Sequence, residues 1–287
     1  MRRYAGIDPA TGLVVGAAAD NWPLRARVQG APLAYGGALS PFNRGAGLPI
    51  SVPGSPASDG YSDTFDGTDG DPLDSSLWTE YNSSVITTRE QRDGRFRAVI
   101  DDNTGDQTLW YLSDVGWFAY QTLTFPFEID YLNIGIGKTS DSQAVPVPGV
   151  DTAASPWQFG GVVVHSLTPG DLNYRLMVVG HRDGFNTYTY ESKNSDGTGF
   201  NSIVDGGANA APLGRLDIKV IGNANQTVTF QHRQPGVGSY VNSTAPAFRF
   251  PTYASTCLVG LVGYTFALSS MPFVITCDEV SLVSNGA

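Results

Sequence analysis

Apolar and polar residues begin to alternate regularly near Val85, and the alternation continues toward the C-terminal end. It is clearest at 215–221 and 226–233, which predicts strands with one buried face. Turn signals rich in Asn, Asp and Gly, including those at 92–94 and 194–197, separate the apolar stretches. The pattern predicts strands at 85–88, 95–101, 107–113, 117–125, 127–136, 157–165, 173–181, 185–191, 214–221, 226–233, 238–242, 247–250, 256–266 and 273–283. About fourteen short strands favour an antiparallel sandwich of two sheets.

Residues 1–60 hold neither a strand period nor a helix period for long, and 31–56 is dense in Gly, Pro, Ala and Ser. Single apolar residues recur there at intervals that suit anchors for another surface; four of them are Leu33, Tyr35, Leu39 and Phe42. The sequence therefore predicts an extended N-terminal docking arm at 1–60 and a β-sandwich domain at 61–287. The arm either binds a partner or wraps its own sandwich.

Charge excludes some partners. The chain has 17 Lys and Arg against 27 Asp and Glu, a net charge of −10, whereas nucleic-acid binding requires clustered basic residues. No apolar run approaches the roughly 20 residues that cross a bilayer, so no membrane partner is predicted. The apolar run at 13–19 is short and contains Gly16, which makes the N-terminus a poor match to a signal peptide.

Two cysteines, Cys257 and Cys277, are present. If 256–266 and 273–283 form a hairpin, the two residues lie roughly 16 Å apart along the strands. A disulfide requires Cα atoms within about 7 Å, so we expect buried thiols without a disulfide. Such thiols suit assembly in a reducing cytoplasm.

The stretch 63–78 reads DTFDGTDGDPLDSSLW and contains the pattern D-x-F-D-G followed by P-L-D-x-S-x-W. It resembles the first strand and loop of concanavalin A-like domains of lectins and glucanases, including those of extracellular hydrolases and bacteriophage minor tail proteins. Residues 259–264 and 273–282 resemble the last two strands of the same fold. The resemblance implies an all-β, two-sheet antiparallel concanavalin A-like jelly roll over residues 61–284.

Several aspartates cluster in this stretch, and Ca²⁺ prefers such oxygen ligands. In domains of the fold it resembles, the first loop sometimes meets an acidic pair on the last strand, here Asp278 and Glu279. The candidate Ca²⁺ ligands are Asp63, Asp66, Asp69 and Asp278. The alternative is a solvated acidic turn, and no other cofactor is expected.

Residues 126–133, PFEIDYLN, resemble the E-I-D-x-x-E strand of laminarinase-type β-glucanases. Alternation places Glu128 and Asp130 on one face of that strand. Retaining hydrolysis needs a second carboxylate about 5–5.5 Å from the first. The resemblance implies an acid/base four or five residues after the first Glu, where this chain has Leu132 and Asn133. The chain is therefore predicted not to be an enzyme.

Aromatic residues suggest a binding surface, because the C–H faces of sugars pack on aromatic rings. The candidates for a glycan-stacking platform are Trp117, Tyr120, Tyr188 and Tyr190. Tyr188 and Tyr190 share a strand face, so both are displayed or both are buried. Ordinary core packing is the alternative for all four rings.

The chain resembles a bacteriophage virion protein, which implies a non-enzymatic structural role as a phage tail fibre, a minor tail component or a capsid decoration. Its arm would bind other virion proteins, and its sandwich would adhere to a host-surface glycan. It would be made in the host cytoplasm, act in the virion and form a homo-oligomer. Two alternatives stay open: a laminarinase-like polysaccharide hydrolase or depolymerase, and a secreted extracellular carbohydrate-binding module.

Overall fold

The computed structural model describes residues 6–7, 14–15, 61–100, 116–138, 158–169, 171, 173–181, 189–196, 200–204, 214–243, 247, 254–265 and 273–285. The chain divides into two compact units, Met1–Pro56 and Ala57–Ala287. In the first unit, β1 (Gly6–Ile7) pairs antiparallel with β2 (Val14–Val15). The predicted docking residues Leu33, Tyr35, Leu39 and Phe42 lie outside the described residues.

The second unit contains two antiparallel sheets. The seven-stranded sheet is formed, in spatial order, by β11 (Phe200–Val204), β10 (Thr189–Asp196), β9 (Asn173–His181), β8 (Gln158–His165), β15 (Thr256–Thr265), β6 (Trp117–Thr124) and β3 (Thr79–Tyr81). Each strand is antiparallel to its neighbours. A short 3₁₀ turn, Ser83–Val85, follows β3.

The eight-stranded sheet is formed, in spatial order, by β14 (Val241–Asn242), β13 (Val228–Arg233), β12 (Arg215–Gly222), β7 (Phe127–Lys138), β16 (Phe273–Cys277), β5 (Phe96–Ile100) and β4 (Ile86–Gln91). Its eighth strand, β17 (Glu279–Asn285), pairs with β7 next to β16. The predicted two-sheet antiparallel jelly roll is confirmed. Among the described residues, no helix is long and apolar enough to cross a membrane.

The inner core lies between the sheets, and strand alternation fills it. In β12, Leu216, Ile218 and Val220 are buried in this core, whereas Lys219 belongs to the opposite face. The opening stretch contributes Phe65, whose ring centroid lies 5.7 Å from that of Phe96. The aromatic stretch therefore joins the core as an integral part of the sandwich.

The seven-stranded sheet is apolar on its outer face as well. A second buried cluster alternates with inner-core residues along the same strands; it comprises Phe118, Phe159, Val163, Tyr174, Leu176, Val178, Leu258, Val262 and Tyr264. Every one of these residues is at most 4% exposed. The centre of this sheet therefore has two buried faces, which explains why β8 and β15 read as nearly continuous apolar runs.

The last predicted strand, 273–283, is broken in two at Asp278. Strand β7 pairs with β17 along its first half and with β16 along its second half. At the junction, Asn133 has a positive φ of 53°, and the backbone N–H of Asp278 donates to the Leu132 carbonyl at 3.0 Å. Such a break redirects nearby side chains.

The predicted hairpin between 256–266 and 273–283 is wrong, because β15 and β16 lie in different sheets. The connection crosses the sandwich, as jelly-roll connections do. Cys257 and Cys277 are nevertheless buried thiols without a disulfide, as expected. Burial raises the pKa of both thiols well above the ordinary value, which keeps them protonated.

Candidate functional site

The opening stretch pairs with the last strand, β17, through one residue. Asp63 and Val280 exchange two backbone hydrogen bonds, each with an N···O distance of 2.8 Å. The Asp63 carboxylate accepts from the backbone N–H of Phe65 at 2.9 Å and from Nε1 of Trp78 at 2.8 Å. The Asp63 carboxylate therefore joins two other residues of the opening stretch, Phe65 and Trp78, by hydrogen bonds.

The four predicted Ca²⁺ ligands have separate surroundings. Asp278 Oδ2 accepts from Nδ2 of Asn133 at 2.8 Å, whereas Asp69 Oδ1 accepts from the N–H of Asp93 at 2.9 Å, and Asp66 is exposed. In the part of the chain that the structure describes, no group of three or more His, Cys, Asp or Glu side chains is placed to hold a metal ion. Asp63, Asp69 and Asp278 instead accept hydrogen bonds within the protein.

The aromatic candidates lie on different faces, which corrects the predicted single platform. Trp117 is 0% exposed in the inner core and donates from Nε1 to Glu80 at 3.1 Å. Tyr120 lies on the opposite side of the same sheet, with its ring 4.8 Å from Phe118, and burial raises the pKa of its hydroxyl. Trp117 and Tyr120 are three positions apart on β6, and an odd separation places two side chains on opposite faces of a strand.

Tyr190 packs against the inner core, with its ring centroid 4.4 Å from the His232 ring of the other sheet. Tyr188 lies outside the described residues. The described aromatic candidates therefore divide between the inner core, with Trp117 and Tyr190, and the apolar outer face, with Tyr120.

The glucanase-like strand is β7, at the centre of the eight-stranded sheet. Phe127, Ile129 and Tyr131 enter the core, so Glu128 and Asp130 share the outer face, as predicted. Lys219 stands opposite Asp130 on the neighbouring β12. Its Nζ forms an ion pair with Glu128 Oε1 and lies 3.5 Å from Asp130 Oδ1.

This arrangement fixes the charge of the lysine. Burial raises the pKa of Asp130, and the nearby Lys219 opposes that shift. Burial also acts to lower the pKa of Lys219, but its contacts with Glu128 and Asp130 outweigh burial and leave that pKa raised. Lys219 therefore stays protonated near neutral pH, as a hydrogen-bond donor rather than a base.

An aromatic ring borders the charged group. Tyr240 is half-buried, its ring centroid 4.4 Å from the Arg233 guanidinium carbon and 5.0 Å from Lys219 Nζ. Burial raises the pKa of the Tyr240 hydroxyl, and the Asp130 charge adds to that shift. The neutral phenol thus sits over two cations, the arrangement that stabilises a cation–π contact.

Asp217 organises this corner of the sheet. It is 3% exposed, and Oδ2 accepts from Nε of Arg233 at 2.8 Å and from the N–H of Gly236 at 3.1 Å. Its Oδ1 accepts from the N–H of Asn133 at 2.8 Å. One carboxylate therefore joins β7, β13 and the loop that carries Tyr240.

The positions where a glucanase acid/base would stand hold no carboxyl group. Asn133 uses its side-chain amide to bind Asp278, and Leu132 pairs with Glu279 in the sheet. The sequence did not single out Lys219, Arg233 or Tyr240. Alternation along β12 places Lys219 on the opposite face from the buried Ile218. The position of Lys219 beside β7 is not visible in the local sequence, because the pairing of β12 with β7 joins segments that are far apart in the chain.

No protein-family model matches the sequence, and no curated protein matches it. Among solved structures, the chain is similar to an engineered GH43 glycoside hydrolase with endo-xylanase and exo-arabinofuranosidase activity, with a TM-score of 0.51 and 11% identity. The alignment covers 81% of this chain and 41% of the hydrolase, so this chain spans less than half of that protein.

The chain is also similar to a seed lectin of Lotus tetragonolobus, with a TM-score of 0.42, 9% identity, and 76% and 98% of the two chains covered. The VIP36 exoplasmic/luminal domain in its Ca²⁺- and Man2-bound form has a TM-score of 0.43 and 7% identity, over 79% and 90%. At such identities structural likeness concerns the fold and not the activity. The chain has the lectin-like jelly-roll fold of concanavalin A-like domains.

Proposed function

We propose that the protein is a non-enzymatic carbohydrate-binding sandwich that holds a glycan on the outer face of its eight-stranded sheet. The outer-face site comprises Glu128, Asp130, Lys219, Arg233 and Tyr240. The observation that carries the proposal is the pair of carboxylates fixed by Lys219 beside a half-buried aromatic ring. The fold likeness to lectins and to a glycoside hydrolase is consistent with it.

These groups match the chemistry of a sugar ring. Carboxylate oxygens accept from vicinal hydroxyls, and the ammonium and guanidinium groups donate to ring and hydroxyl oxygens. The ion pairs hold both sets in fixed orientations, so little side-chain entropy is lost when the ligand binds. The ring of Tyr240 offers an apolar surface to the C–H face of a sugar.

The same geometry argues against hydrolysis. A retaining enzyme needs a nucleophile carboxylate and a protonated acid on the two sides of the scissile bond. Here the Glu128 carboxylate is held by Lys219, and Asn133 occupies the position of the acid. An amide cannot donate a proton to a leaving group in the way a carboxylic acid does.

Affinity electrophoresis through gels that contain a panel of polysaccharides tests this proposal. We expect at least one polysaccharide to retard the protein, and Tyr240→Ala to abolish the retardation. Val237→Ala is the matched control, because Val237 lies on the same loop with its side chain 67% exposed. The proposal is wrong if no polysaccharide retards the protein, or if reducing ends are released and Glu128→Gln stops their release.

We further propose that the sandwich works within a virion, anchored there by residues 1–60 in a homo-oligomer. Buried thiols suited to a reducing cytoplasm and the resemblance to phage tail domains support this proposal. Limited proteolysis with mass readout tests it. We expect residues 1–60 to be removed rapidly from the isolated protein and to be protected in the assembled particle. Equal resistance in both states would contradict the docking role.

A further inference from the structure

The charges of the outer-face site do not cancel. Together with the buried carboxylate that supports it, the site contains three carboxylates and two cations: Glu128, Asp130, Asp217, Lys219 and Arg233. One negative charge is therefore in excess among these described residues. The position of that excess charge determines which ligand the site can hold.

Arg233 and Asp217 neutralise each other. Nε of Arg233 donates to Oδ2 of Asp217 at 2.8 Å, and Nη1 of Arg233 donates to the Gly238 carbonyl at 3.4 Å. The ring of Tyr240 covers the same guanidinium, with its centroid 4.4 Å from the guanidinium carbon. The positive charge of Arg233 is thus already balanced, and it does not compensate a second carboxylate.

Lys219 is shared between the other two carboxylates. Its Nζ forms an ion pair with Oε1 of Glu128, lies 3.5 Å from Oδ1 of Asp130 and faces the Tyr240 ring at 5.0 Å. One ammonium therefore serves two carboxylates, and one negative charge of this pair stays uncompensated. Glu128 is the more accessible of the two, with 31% of its side chain exposed against 18% for Asp130.

The two carboxylates are accessible on the side away from β12. Strand β17 borders β7 there, and its register places Ser281 beside Asp130. Val280 and Leu282 are buried in the inner core, so alternation puts Ser281 on the outer face. A serine side chain is short, which leaves room for a ligand beside Glu128 and Asp130.

The excess charge selects the kind of donor that a ligand should bring. Among the described residues, Oε2 of Glu128 accepts no hydrogen bond, whereas Oε1 is paired with Lys219. A neutral ligand that covers an uncompensated carboxylate removes its water without replacing the missing charge, which costs free energy. A ligand ammonium supplies both a donor and the missing positive charge in a charge-assisted hydrogen bond. A ligand carboxylate is repelled, because like charges meet.

We propose that the outer-face site selects a glycan with free amino groups, such as a polymer of glucosamine, over neutral and acidic glycans. The proposal rests on the glycan-binding function proposed above and names its ligand class. In the complex, a sugar ammonium lies against Glu128 and Asp130 on the β17 side, and a neighbouring sugar ring packs on Tyr240. Lys219 contacts both carboxylates and faces the Tyr240 ring, so one oligosaccharide can reach all of these groups.

Calorimetry with glucosamine oligomers, and with the same oligomers after N-acetylation, tests the proposal. At about pH 6, amines are protonated and ordinary carboxylates are ionised. We expect the free-amine form to bind at least ~10-fold more tightly than the acetylated form, equivalent to about 1.4 kcal/mol. A uronic acid oligomer of the same length should bind more weakly than either. Equal or tighter binding of the acetylated or the acidic oligomer would overturn the selectivity.

A pair of variants with equal changes of net charge locates the effect. Glu128→Gln keeps the shape of the side chain and removes its charge, so it should lose most of the preference for the free amine. Asp66→Asn is the matched control, because Asp66 is exposed in the opening stretch, and this variant should keep the preference. An equal loss in the two variants would indicate general attraction of a polycation to a protein with a net charge of −10, and the proposal would be wrong.

A second pair of variants places the missing cation in the protein itself. Ser281→Lys puts an ammonium beside Asp130, so the preference for the free amine should disappear while the acetylated oligomer still binds. Ser281→Gln adds a long side chain without a charge and should keep the preference. Thermal unfolding of both variants verifies that they fold. An undiminished preference in Ser281→Lys would show that the excess carboxylate charge does not hold the ligand.

The two proposals fail in distinguishable ways. If acetylated and free-amine oligomers bind equally, the glycan-binding function stands and the amine selectivity is wrong. If neither oligomer nor any polysaccharide binds, the glycan-binding function is wrong and the selectivity falls with it. Oligolysine that binds as tightly as the glucosamine oligomers would indicate a cationic peptide in place of a sugar, which also contradicts the proposal.

Discussion

The two outer faces of the sandwich differ in almost every physical respect. The charged face, on the eight-stranded sheet, carries Glu128, Asp130 and Lys219, all partly accessible. The apolar face, on the seven-stranded sheet, carries residues such as Phe159 and Val178 that are 0% exposed. Apolar burial stabilises the fold, whereas fixed accessible charges are available to a ligand. We therefore assign stability to the apolar face and recognition to the charged face.

Each face has a lysine–glutamate pair, which makes the comparison specific. On the apolar face, Lys193 pairs with Glu191, their side chains 7% and 3% exposed, and Lys193 Nζ lies 4.8 Å from the Phe159 ring centroid. On the charged face, the Lys219 and Glu128 side chains are 15% and 31% exposed. Removing one partner of a buried ion pair is costly, because the charge that remains is not solvated. In an accessible pair, water solvates the remaining charge and the cost is small.

The largest effect should come from Phe159→Ala on the apolar face. Removing a fully buried phenylalanine costs about 3–5 kcal/mol of unfolding free energy. Urea denaturation followed by tryptophan fluorescence measures this cost. Tyr240→Ala on the charged face should cost about 1 kcal/mol or less. Equal losses in the two variants would refute the division between the faces.

Glu191→Ala should cost nearly as much, about 3 kcal/mol, because it removes the ion-pair partner of a buried lysine. The double variant Glu191→Leu with Lys193→Met should regain most of that loss, since well-packed apolar residues replace buried ion pairs at little cost. Thermal unfolding of the three proteins in parallel provides the comparison. A double variant no more stable than Glu191→Ala would show that this ion pair itself stabilises the fold.

Lys219→Met should have a small effect on stability, about 1 kcal/mol or less, because its partners are partly solvated. Its effect on glycan binding should be larger, because Glu128 and Asp130 lose the group that orients them. Denaturation and affinity electrophoresis on the same preparation separate the two effects. Unchanged glycan binding in this variant would remove Lys219 from the outer-face site.

The smallest expected effect is the change in the free energy of unfolding with pH that Asp130 causes. The pKa of Asp130 is raised in the folded state, so the folded protein holds this proton more tightly than the unfolded chain does. Lowering the pH through that pKa should add slightly to stability, and raising the pH should remove the gain. Glycan binding should change in the opposite direction, falling as Asp130 becomes neutral. In Asp130→Asn, both pH dependences should be flatter in a titration between pH 3 and 7, about the range of a perturbed carboxylate.

Local chemistry made much of the fold predictable. The bounds predicted for the strand at 173–181 agree with those of β9, and the turn at 92–94 has the positive φ angles that Asp and Gly tolerate. The turn predicted at 194–197 is wrong over its first three residues, because β10 continues to Asp196 along the full length of β9. In the sandwich, the short strands β3 and β11 were missed, because pairing with a neighbouring strand defines each of them more than its own residue pattern does. The pairing of β1 with β2 was missed as well.

The aromatic residues show why part of the site escaped prediction. Strand β6 is apolar on both faces, so its pattern cannot distinguish the core side from the outer side. The prediction that displayed Trp117 with Tyr120 was wrong for that reason. Tyr240 precedes a strand of only two residues, Val241–Asn242, and its position over Arg233 depends on a loop that Asp217 holds.

The sequence by itself determined that Glu128 and Asp130 share a face, because strand alternation is a local property of the backbone. It also determined that no carboxyl group follows them at the acid position. Only the tertiary structure decided which side chains from other strands lie beside Glu128 and Asp130 on that face. Asn133 meets Asp217 across 84 residues of sequence and Asp278 across 145. Such contacts follow from the pairing of distant strands, which the burial of the whole core selects.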